Sequence, residues 1–287
     1  MRSLLFVPAH DARKLTKGLD SGADALIIDL EDAVPAAEKV RAREMCAEFV
    51  AQHRAGMTLI VRINAHSSGW LLDDLAAVIR SGPHGVMLPK CSGVADVALL
   101  GHYLSALEVR EGLQPGSVRI YSIATETAAS LLGMESYRLS HARLGGLMWG
   151  GEDLAADIGA VSNRDGHKNY TAPYLLARTL TLLGAASAQV AAIDAVYTNF
   201  KDSAGLQAEC AEALRDGFTA KAAIHPDQVS VINAAFTPSA ADVLWARRVI
   251  EAFDAQPTQG AISLDGRMLD RPHYRSARRV LDRALEH

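Results

Sequence analysis

The chain has 287 residues, of which 49% are hydrophobic and 22% are charged, and both values are ordinary for a globular protein. The formal net charge is −4, so the composition provides no basic field for nucleic acid. No stretch approaches the roughly 18 apolar residues of a membrane span, and the apolar run before Pro8 is too short for a signal peptide. Three widely separated cysteines argue against a disulfide scaffold and fit a reducing compartment. We therefore expect a cytoplasmic protein with neither nucleic-acid nor membrane partners.

Short apolar runs alternate with longer amphipathic segments along most of the chain. The predicted strands are Ser3–Val7, Ala25–Leu30, Thr58–Ile63, Gly85–Leu88, Val118–Ile123, Leu144–Trp149, Ile193–Tyr197 and Ala220–Ile224. The predicted helices are Ala12–Ser21, Glu38–His53, Leu71–Ser81, Gly93–Glu111, Thr127–Tyr137, Ala172–Leu183, Ser203–Asp216 and Pro226–Ala235. Such alternation predicts a parallel sheet, and eight units favour a closed (β/α)8 TIM barrel. The open doubly wound alternative lacks its phosphate-binding glycine motif.

The pattern changes after residue 236. The predicted elements there are a helix Ala240–Ala255, a short strand Ala261–Leu264, a turn at Asp265-Gly266 and a helix Pro272–Leu285. We divide the chain into a catalytic barrel domain, 1–236, and a C-terminal lid or oligomerisation extension, 237–287. The extension is too small for a substantial core, so we expect it to pack on the barrel or on another subunit. Its arginine-rich end indicates a solvated or interface helix, with an anion-binding tail as the alternative.

Ionisable residues follow six of the eight predicted strands. They are Asp29, Glu31, Asp32, Arg62, Lys90, Glu126, Glu152, Asp153 and His225. In α/β barrels the carboxyl ends of the strands carry the active site. Any one of these residues has an ordinary interpretation as a charge on a surface loop. Six strand ends with the same property predict a catalytic site.

Glu126 and Asp153 end neighbouring predicted strands and would face the same space. Mg²⁺ takes one or two carboxylates, with water and substrate completing its octahedron. The alternative is that each carboxylate caps the helix that follows it. Spacing alone leaves both interpretations open. The histidines show no zinc-binding spacing.

Two basic residues at strand ends also have alternative roles. Arg62 ends a very apolar strand, where a guanidinium needs a carboxylate or a phosphate beside it. A salt bridge to Asp29 or Glu31 and a contact with substrate are both open. Lys90 follows a proline, and a Schiff-base lysine of the barrel-aldolase kind is a second possibility for this position.

A basic patch follows the first strand. Arg13, Lys14 and Lys17 lie close to His10 in sequence, which is suited to a phosphate group or to a solvated helix face. His225-Pro226 is more typical of a turn that ends a strand than of a catalytic imidazole.

Long ordered motifs add a resemblance to a known family. These are RSLLFVPAHDARKLTKGLDSGADALIIDLEDAVPAAEKVRAR, VRIN, LPK, IATETAASLLGM, GGEDLAADIG, GFTAKAAIHPDQVSVINAAFTPS and DGRMLDRPHYRSARRVL. In this order they resemble the citrate lyase β-subunit-like family of the HpcH/HpaI aldolase group, which also includes malyl-CoA and citramalyl-CoA lyases. The resemblance covers essentially the whole chain.

The resemblance implies a TIM barrel with a C-terminal lid, assembled as a homotrimer, a hexamer or a larger oligomer. It also implies Mg²⁺-dependent cleavage or formation of a carbon–carbon bond, with a keto acid such as oxaloacetate and a CoA or acyl-carrier thioester. The metal pair of the family falls on Glu126 and Asp153, and the arginine for the substrate carboxylate falls on Arg62. Its lid aspartate, presented to a neighbouring subunit, falls on Asp270, our candidate acid or base.

Further site residues follow from the same resemblance. Asp29, Glu31 and Asp32 would orient Arg62 and bind metal-bound water, and Arg13, Lys14 and Lys17 would bind nucleotide phosphates. The chain departs from the family in its first loop, where Pro8-Ala9 replaces Pro-Gly, and at Lys17-Gly18, where the family has Lys-Ala. These departures affect the thioester side of the site.

The function that combines both lines of argument is a retro-aldol or Claisen-type lyase acting on citryl-, citramalyl- or malyl-CoA. Two alternatives remain open. One is a metal-dependent aldolase that acts on free hydroxy-keto acids. The other is a subunit of a citrate lyase complex that is inactive without its acyl-carrier partner.

Overall fold

Eight parallel strands close into a barrel in the computed structural model, which describes residues 1–285. The strands are β1 (Ser3–Pro8), β2 (Ala25–Asp29), β3 (Thr58–Arg62), β4 (Gly85–Leu88), β5 (Arg119–Ile123), β6 (Leu144–Met148), β7 (Ala191–Asp194) and β8 (Ala220–Ala223). Each strand pairs with its neighbour in sequence, and β1 pairs with β8 to close the barrel. The predicted TIM barrel is therefore confirmed.

Helices follow the barrel strands and cover their outer faces. They are α1 (Ala12–Leu19), α2 (Lys39–His53), α3 (Leu71–Val78), α4 (Val94–Arg110), α5 (Ala128–Gly133), α6 (Gly151–Asp157), α7 (Ala172–Ala188), α8 (Ser203–Asp216) and α9 (Pro226–Phe236). Side chains at the first turns fix several of the helix starts. Asp11, Thr127 and Asp202 each accept a hydrogen bond from a backbone N–H of the first turn of α1, α5 and α8, respectively.

Alternate residues of the strands fill the barrel interior. Leu4 of β1, Ile27 of β2, Ile60 of β3 and Met87 of β4 belong to one buried apolar cluster, together with residues of β5 to β8. Because side chains alternate along a strand, the residues between them face the helices. Most strand residues are therefore apolar on both faces, which is why the sequence contains short apolar runs rather than a polar–apolar alternation.

The seventh strand and the helix after β6 differ from the predictions. The seventh strand is Ala191–Asp194 rather than Ile193–Tyr197, because β7 pairs Ile193 with Ala220 and Asp194 with Lys221. Helix α6 was not predicted, because it has only seven residues and begins within a pair of glycines.

The second of two compact units begins at Asn233, inside α9. It contains α10 (Ala240–Asp254), β9 (Ala261–Leu264), β10 (Arg267–Asp270) and α11 (Arg271–Leu285). Strand β10 was not predicted; it forms an antiparallel hairpin with β9. The turn residues Asp265 and Gly266 both have positive φ, as tight hairpin turns require.

The second unit has its own small apolar cluster, which includes Phe253 of α10, Ile262 of β9 and Leu269 of β10. Among the described residues, no helix is long and apolar enough to cross a lipid bilayer.

A fully buried lysine joins β7, β8 and α8. Lys221 Nζ donates to Asp194 Oδ2 at 2.6 Å, to the Ala195 carbonyl at 2.7 Å and to Glu209 Oε1 at 2.8 Å. Burial disfavours the ammonium ion, but the two carboxylates outweigh burial and raise the pKa of Lys221. Asp194 also accepts a hydrogen bond of 2.7 Å from Trp149 Nε1, so the network extends to β6.

We predict that Lys221→Met lowers the free energy of unfolding by about 3 to 5 kcal/mol, because Asp194 and Glu209 would lose the buried ammonium group that both of them share. Urea unfolding at a fixed protein concentration measures this loss. The matched control is Lys201→Met at an exposed lysine, which we expect to change stability by less than about 0.5 kcal/mol. Equal stability of the two variants would contradict the prediction.

Candidate active site

A cavity of about 940 Å³ lies at the carboxyl ends of the barrel strands. Residues at the ends of β1, β2, β3, β5, β6, β7 and β8 form its wall. Arg62, Glu126 and Asp153 are among them, so the barrel brings these three predicted residues to one space. Glu31 and Lys90 are not wall residues, but they contact residues that are.

The ion pair between Arg62 and Asp29 joins the ends of β3 and β2. Arg62 Nε and one terminal nitrogen donate to the two oxygens of Asp29, each at 2.7 Å. Burial disfavours the Asp29 carboxylate, but this guanidinium holds its pKa below the ordinary value. Arg62 also lies over the Phe6 ring, with 5.0 Å to the ring centroid. The predicted internal salt bridge is thus present, and the same arginine faces the cavity.

A second buried lysine holds the loop after β2. Lys39 Nζ donates to the carbonyls of Leu30 at 2.6 Å and Glu31 at 2.7 Å, and to Asn64 Oδ1 at 2.8 Å. The Asn64 amide donates in turn to Asp74 Oδ2 at 2.6 Å. These contacts fix the backbone of Glu31, whose carboxylate lies 3.1 Å from an Arg62 nitrogen. Sequence reasoning missed Lys39.

The side chain of Asp32 is more exposed than those of Asp29 and Glu31. Its carboxylate lies 3.8 Å from an Arg62 nitrogen and 4.0 Å from Lys90 Nζ, and it forms part of the cavity wall. Asp32 is therefore near the cationic side chains without a close hydrogen bond to either. Its carboxylate can accept a hydrogen bond from water or substrate in the cavity.

Lys90 follows β4 and contacts three carboxylates from other strand ends. Its backbone N–H donates to Glu126 Oε2, and its Nζ lies 2.7 Å from Glu31 Oε1 and 3.2 Å from Asp153 Oδ1. Burial disfavours its charge, but the carboxylates raise the pKa of Lys90 above the ordinary value. A Schiff-base lysine needs a lowered pKa, so the structure does not support that interpretation.

Glu126 and Asp153 follow the neighbouring strands β5 and β6. Burial, with the nearby charges of Glu31 and Asp153, raises the pKa of Glu126 to about 8. Thr127, not Glu126, caps α5. Asp153 lies in the first turn of α6, where Gly150 is the cap residue and makes no side-chain cap.

The glycine at position 150 makes room for Glu126. A Cβ atom at Gly150 would lie 2.7 Å from Glu126 Cγ, which is closer than real Cβ contacts. The absence of a side chain at this position therefore permits the conformation that Glu126 adopts.

The donor atoms fit a hard divalent cation. Within residues 1–285, no group of three or more His, Cys, Asp or Glu side chains is arranged to hold a metal ion. A pair of carboxylates, with water and substrate as the remaining ligands, is the arrangement that Mg²⁺ commonly takes. A cation beside Glu126 would also favour its ionised form, which burial disfavours. Glu126 and Asp153 are the residues that would hold the ion.

The predicted phosphate-binding residues lie on α1. Lys14 and Lys17 form part of the cavity wall, whereas Arg13 is exposed and is not a wall residue. Lys14 Nζ lies 3.7 Å from Asp11, an exposed ion pair that leaves the ammonium accessible. His225 also forms part of the wall, stacked on Phe200 with ring centroids 4.9 Å apart.

Asp270 ends β10 in the second unit, where its half-exposed carboxylate lies 2.6 Å from His273 Nδ1. It directly precedes α11, a position at which an aspartate commonly caps a helix.

A parallel eight-stranded barrel with this set of strand-end carboxylates, an arginine and a lysine defines an α/β-barrel enzyme site suited to a divalent metal. The family model described as HpcH/HpaI aldolase/citrate lyase matches residues 2–226. The chain belongs to this family.

The curated relatives support the same assignment over the full length. The chain is 35% identical over 289 residues to the citrate lyase subunit beta of Escherichia coli, covering 99% of this chain and 93% of that protein. It is 32% identical over 286 residues to a (3S)-malyl-CoA thioesterase of Cereibacter sphaeroides, covering 99% and 94%.

One solved structure is similar over nearly the whole chain. It is the protein CitE from Mycobacterium tuberculosis in complex with magnesium, acetoacetate and coenzyme A. The TM-score is 0.78 with 31% identity, covering 99% of this chain and 97% of that chain.

We predict that Gly150→Ala weakens Mg²⁺ binding by about tenfold while the protein stays folded, because overpacking of about 1–3 kcal/mol moves the Glu126 carboxylate. Isothermal titration calorimetry with MgCl₂ measures the affinity, and circular dichroism checks the fold. Gly56→Ala is the matched control, since a Cβ at Gly56 meets no atom within 4 Å. Unchanged Mg²⁺ affinity in a folded Gly150→Ala protein would contradict the role of Gly150 in positioning the Glu126 carboxylate for the metal.

Proposed function

We propose that the protein is a Mg²⁺-dependent carbon–carbon lyase that acts on a 3-hydroxyacyl thioester such as citryl-, citramalyl- or malyl-CoA. The products would be a keto acid and an acyl thioester. The observation that carries the proposal is the placement of Glu126, Asp153 and Arg62 on one cavity of a barrel of this family. The magnesium and coenzyme A bound to the similar protein CitE support the same cofactor and the same kind of substrate.

The chemistry needs charge stabilisation at one end of the substrate. Mg²⁺, when bound, would act as a Lewis acid toward the oxygens of the keto-acid fragment. Arg62, held in place by Asp29, would bind the substrate carboxylate and offset the negative charge that develops near it. Glu31 and Asp32 would orient Arg62 and bind water in the cavity.

Cleavage also needs a base. Removal of the proton from the substrate hydroxyl group forms the new carbonyl, while the electrons of the breaking carbon–carbon bond form the enolate of the thioester. A proton then returns to that carbon to give the acyl thioester. We assign the proton transfer to Asp270, presented by the lid of a neighbouring subunit.

The thioester would lie toward the first helix. Lys14 and Lys17 on the cavity wall are the cations available for phosphate groups there, and Arg13 lies nearby on the exposed face of the same helix. Ala9 in the first loop and Gly18 in α1 depart from the family pattern on this side. The choice between CoA and an acyl-carrier protein therefore depends on this loop.

We predict that Glu126→Gln and Asp153→Asn each weaken Mg²⁺ binding by about a hundredfold or more, because each removes a charged oxygen ligand without changing the side-chain shape. Lyase activity should fall to the level seen with excess EDTA. Thermal unfolding in EDTA should remain close to that of the wild type. Retained Mg²⁺ affinity in both folded variants would refute the metal site.

The substrate assay should separate the alternatives by product. Citryl-, citramalyl- and malyl-CoA are tested against free citramalate, and both keto-acid release and free-thiol release are measured. Keto acid from the thioesters alone supports the proposal, whereas keto acid from the free acid supports an aldolase. Free thiol without keto acid indicates a thioesterase. Activity only with an acyl-carrier partner indicates a subunit of a complex.

We also propose a homo-oligomer, a trimer or a hexamer, in which the C-terminal lid of one subunit (237–287) completes the site of the next. All three cysteines are free and buried, which supports a location in the reducing cytoplasm.

We predict that Asp270→Asn and Glu126→Gln are each inactive alone but regain part of the activity in mixed oligomers. A mixed oligomer contains sites in which both wild-type residues meet across an interface. Co-expression with two different tags and tandem purification yields these oligomers for assay. No recovery, or a monomer by light scattering, would contradict the assignment of the lid residue to a neighbouring subunit.

A further inference from the structure

Lys90 connects carboxylates from three different strand ends. It has a φ of 50°, a left-handed backbone conformation that is uncommon for a residue with a side chain. This conformation accompanies a backbone N–H that donates to Glu126 and a side chain that contacts Glu31 and Asp153. Strained residues of this kind are concentrated at functional sites. The backbone conformation and the contacts of Lys90 therefore indicate a functional role.

The carboxylates around Lys90 outnumber the cationic side chains. Five carboxylates meet at these strand ends, namely those of Asp29, Glu31, Asp32, Glu126 and Asp153. Arg62 uses two of its nitrogens on Asp29. Among the ion pairs of residues 1–285, the one made by Asp153 is with Lys90, at 3.2 Å.

We propose that Lys90 is a positioning residue whose ammonium group serves as the counter-ion of Asp153 in the metal-free protein and competes with Mg²⁺ for that carboxylate. The inference rests on the proposed function, in which Asp153 is a metal ligand. With Mg²⁺ bound, Lys90 would release Asp153 and retain Glu31, which lies 2.7 Å from its Nζ in the metal-free protein. The backbone N–H stays on Glu126 throughout, so this ligand remains oriented.

The inference predicts an effect of unusual sign. Removal of the ammonium group frees Asp153 and removes a positive charge that repels the incoming cation, so Mg²⁺ should bind more tightly. A lysine that only supports the structure would have the opposite effect, since its loss would disorder the ligands and weaken binding.

The experiment is calorimetric titration of the purified full chain with MgCl₂. We expect Lys90→Met to lower the Kd for Mg²⁺ by about tenfold, because the variant keeps the backbone N–H but loses the competing charge. Lys90→Arg keeps the charge and should stay within about threefold of the wild type. Lys168→Met is the matched control, since Lys168 is an exposed lysine that also has a positive φ, 68°, and it should leave the Kd unchanged.

Thermal unfolding with and without MgCl₂ provides the second readout. The Mg²⁺-induced rise in Tm should be larger for Lys90→Met than for the wild type, since tighter binding stabilises the folded state more. Lys90→Gln, with the same expected sign, replaces Lys90→Met if that protein does not fold.

The outcomes separate the inference from the function on which it rests. Equal or weaker Mg²⁺ binding by a folded Lys90→Met or Lys90→Gln protein overturns the role of Lys90, while the metal site stands if Glu126→Gln abolishes binding. Wild-type protein that binds Mg²⁺ no better than Glu126→Gln overturns both the metal site and the inference.

Discussion

The ion pair between Arg62 and Asp29 is the interaction on which the rest of the site depends. It joins the ends of two neighbouring strands through two hydrogen bonds of 2.7 Å and keeps a buried carboxylate ionised. Arg62 can then face the cavity in a fixed orientation, because its remaining nitrogen is near Glu31 and Asp32. Bidentate geometry of this kind requires an arginine, since a lysine offers a point charge rather than a planar fork.

Two lysines arrange the acidic residues around this pair at different depths. Lys39 is buried and binds backbone carbonyls of the loop after β2, whereas Lys90 is half-buried and binds side-chain carboxylates. Lys39 binds the backbone carbonyl of Glu31, and Lys90 binds its carboxylate. Preorganisation by such contacts lowers the cost of binding an anionic substrate.

The fold was predictable because both faces of a barrel strand are buried, and eight short apolar runs separated by helical segments indicate this arrangement. The predicted rim residues Arg62, Glu126 and Asp153 lie at one cavity, since the carboxyl ends of parallel strands share one edge. Their roles as ligand and substrate contact stay predictions.

The contacts of the buried lysines were not predictable from spacing. Lys39 lies on a helix and Lys221 inside a strand, and neither position reveals from sequence that its ammonium reaches acceptors on other elements. Asp194 was missed because the seventh strand was placed two to three residues too far along the chain. A register error of this size turns a strand-end carboxylate into an apparent mid-strand residue.

Gly150 has no side chain, and the space that a side chain there would fill is occupied by Glu126, 24 residues earlier in the chain. A longer residue at position 150 is accommodated with least strain by a shorter one at position 126, since a Cβ there would lie 2.7 Å from Glu126 Cγ. Among related barrels the two positions should therefore vary together. A directed search for a different metal preference should randomise them as a pair, because a side chain at position 150 needs space that Glu126 occupies.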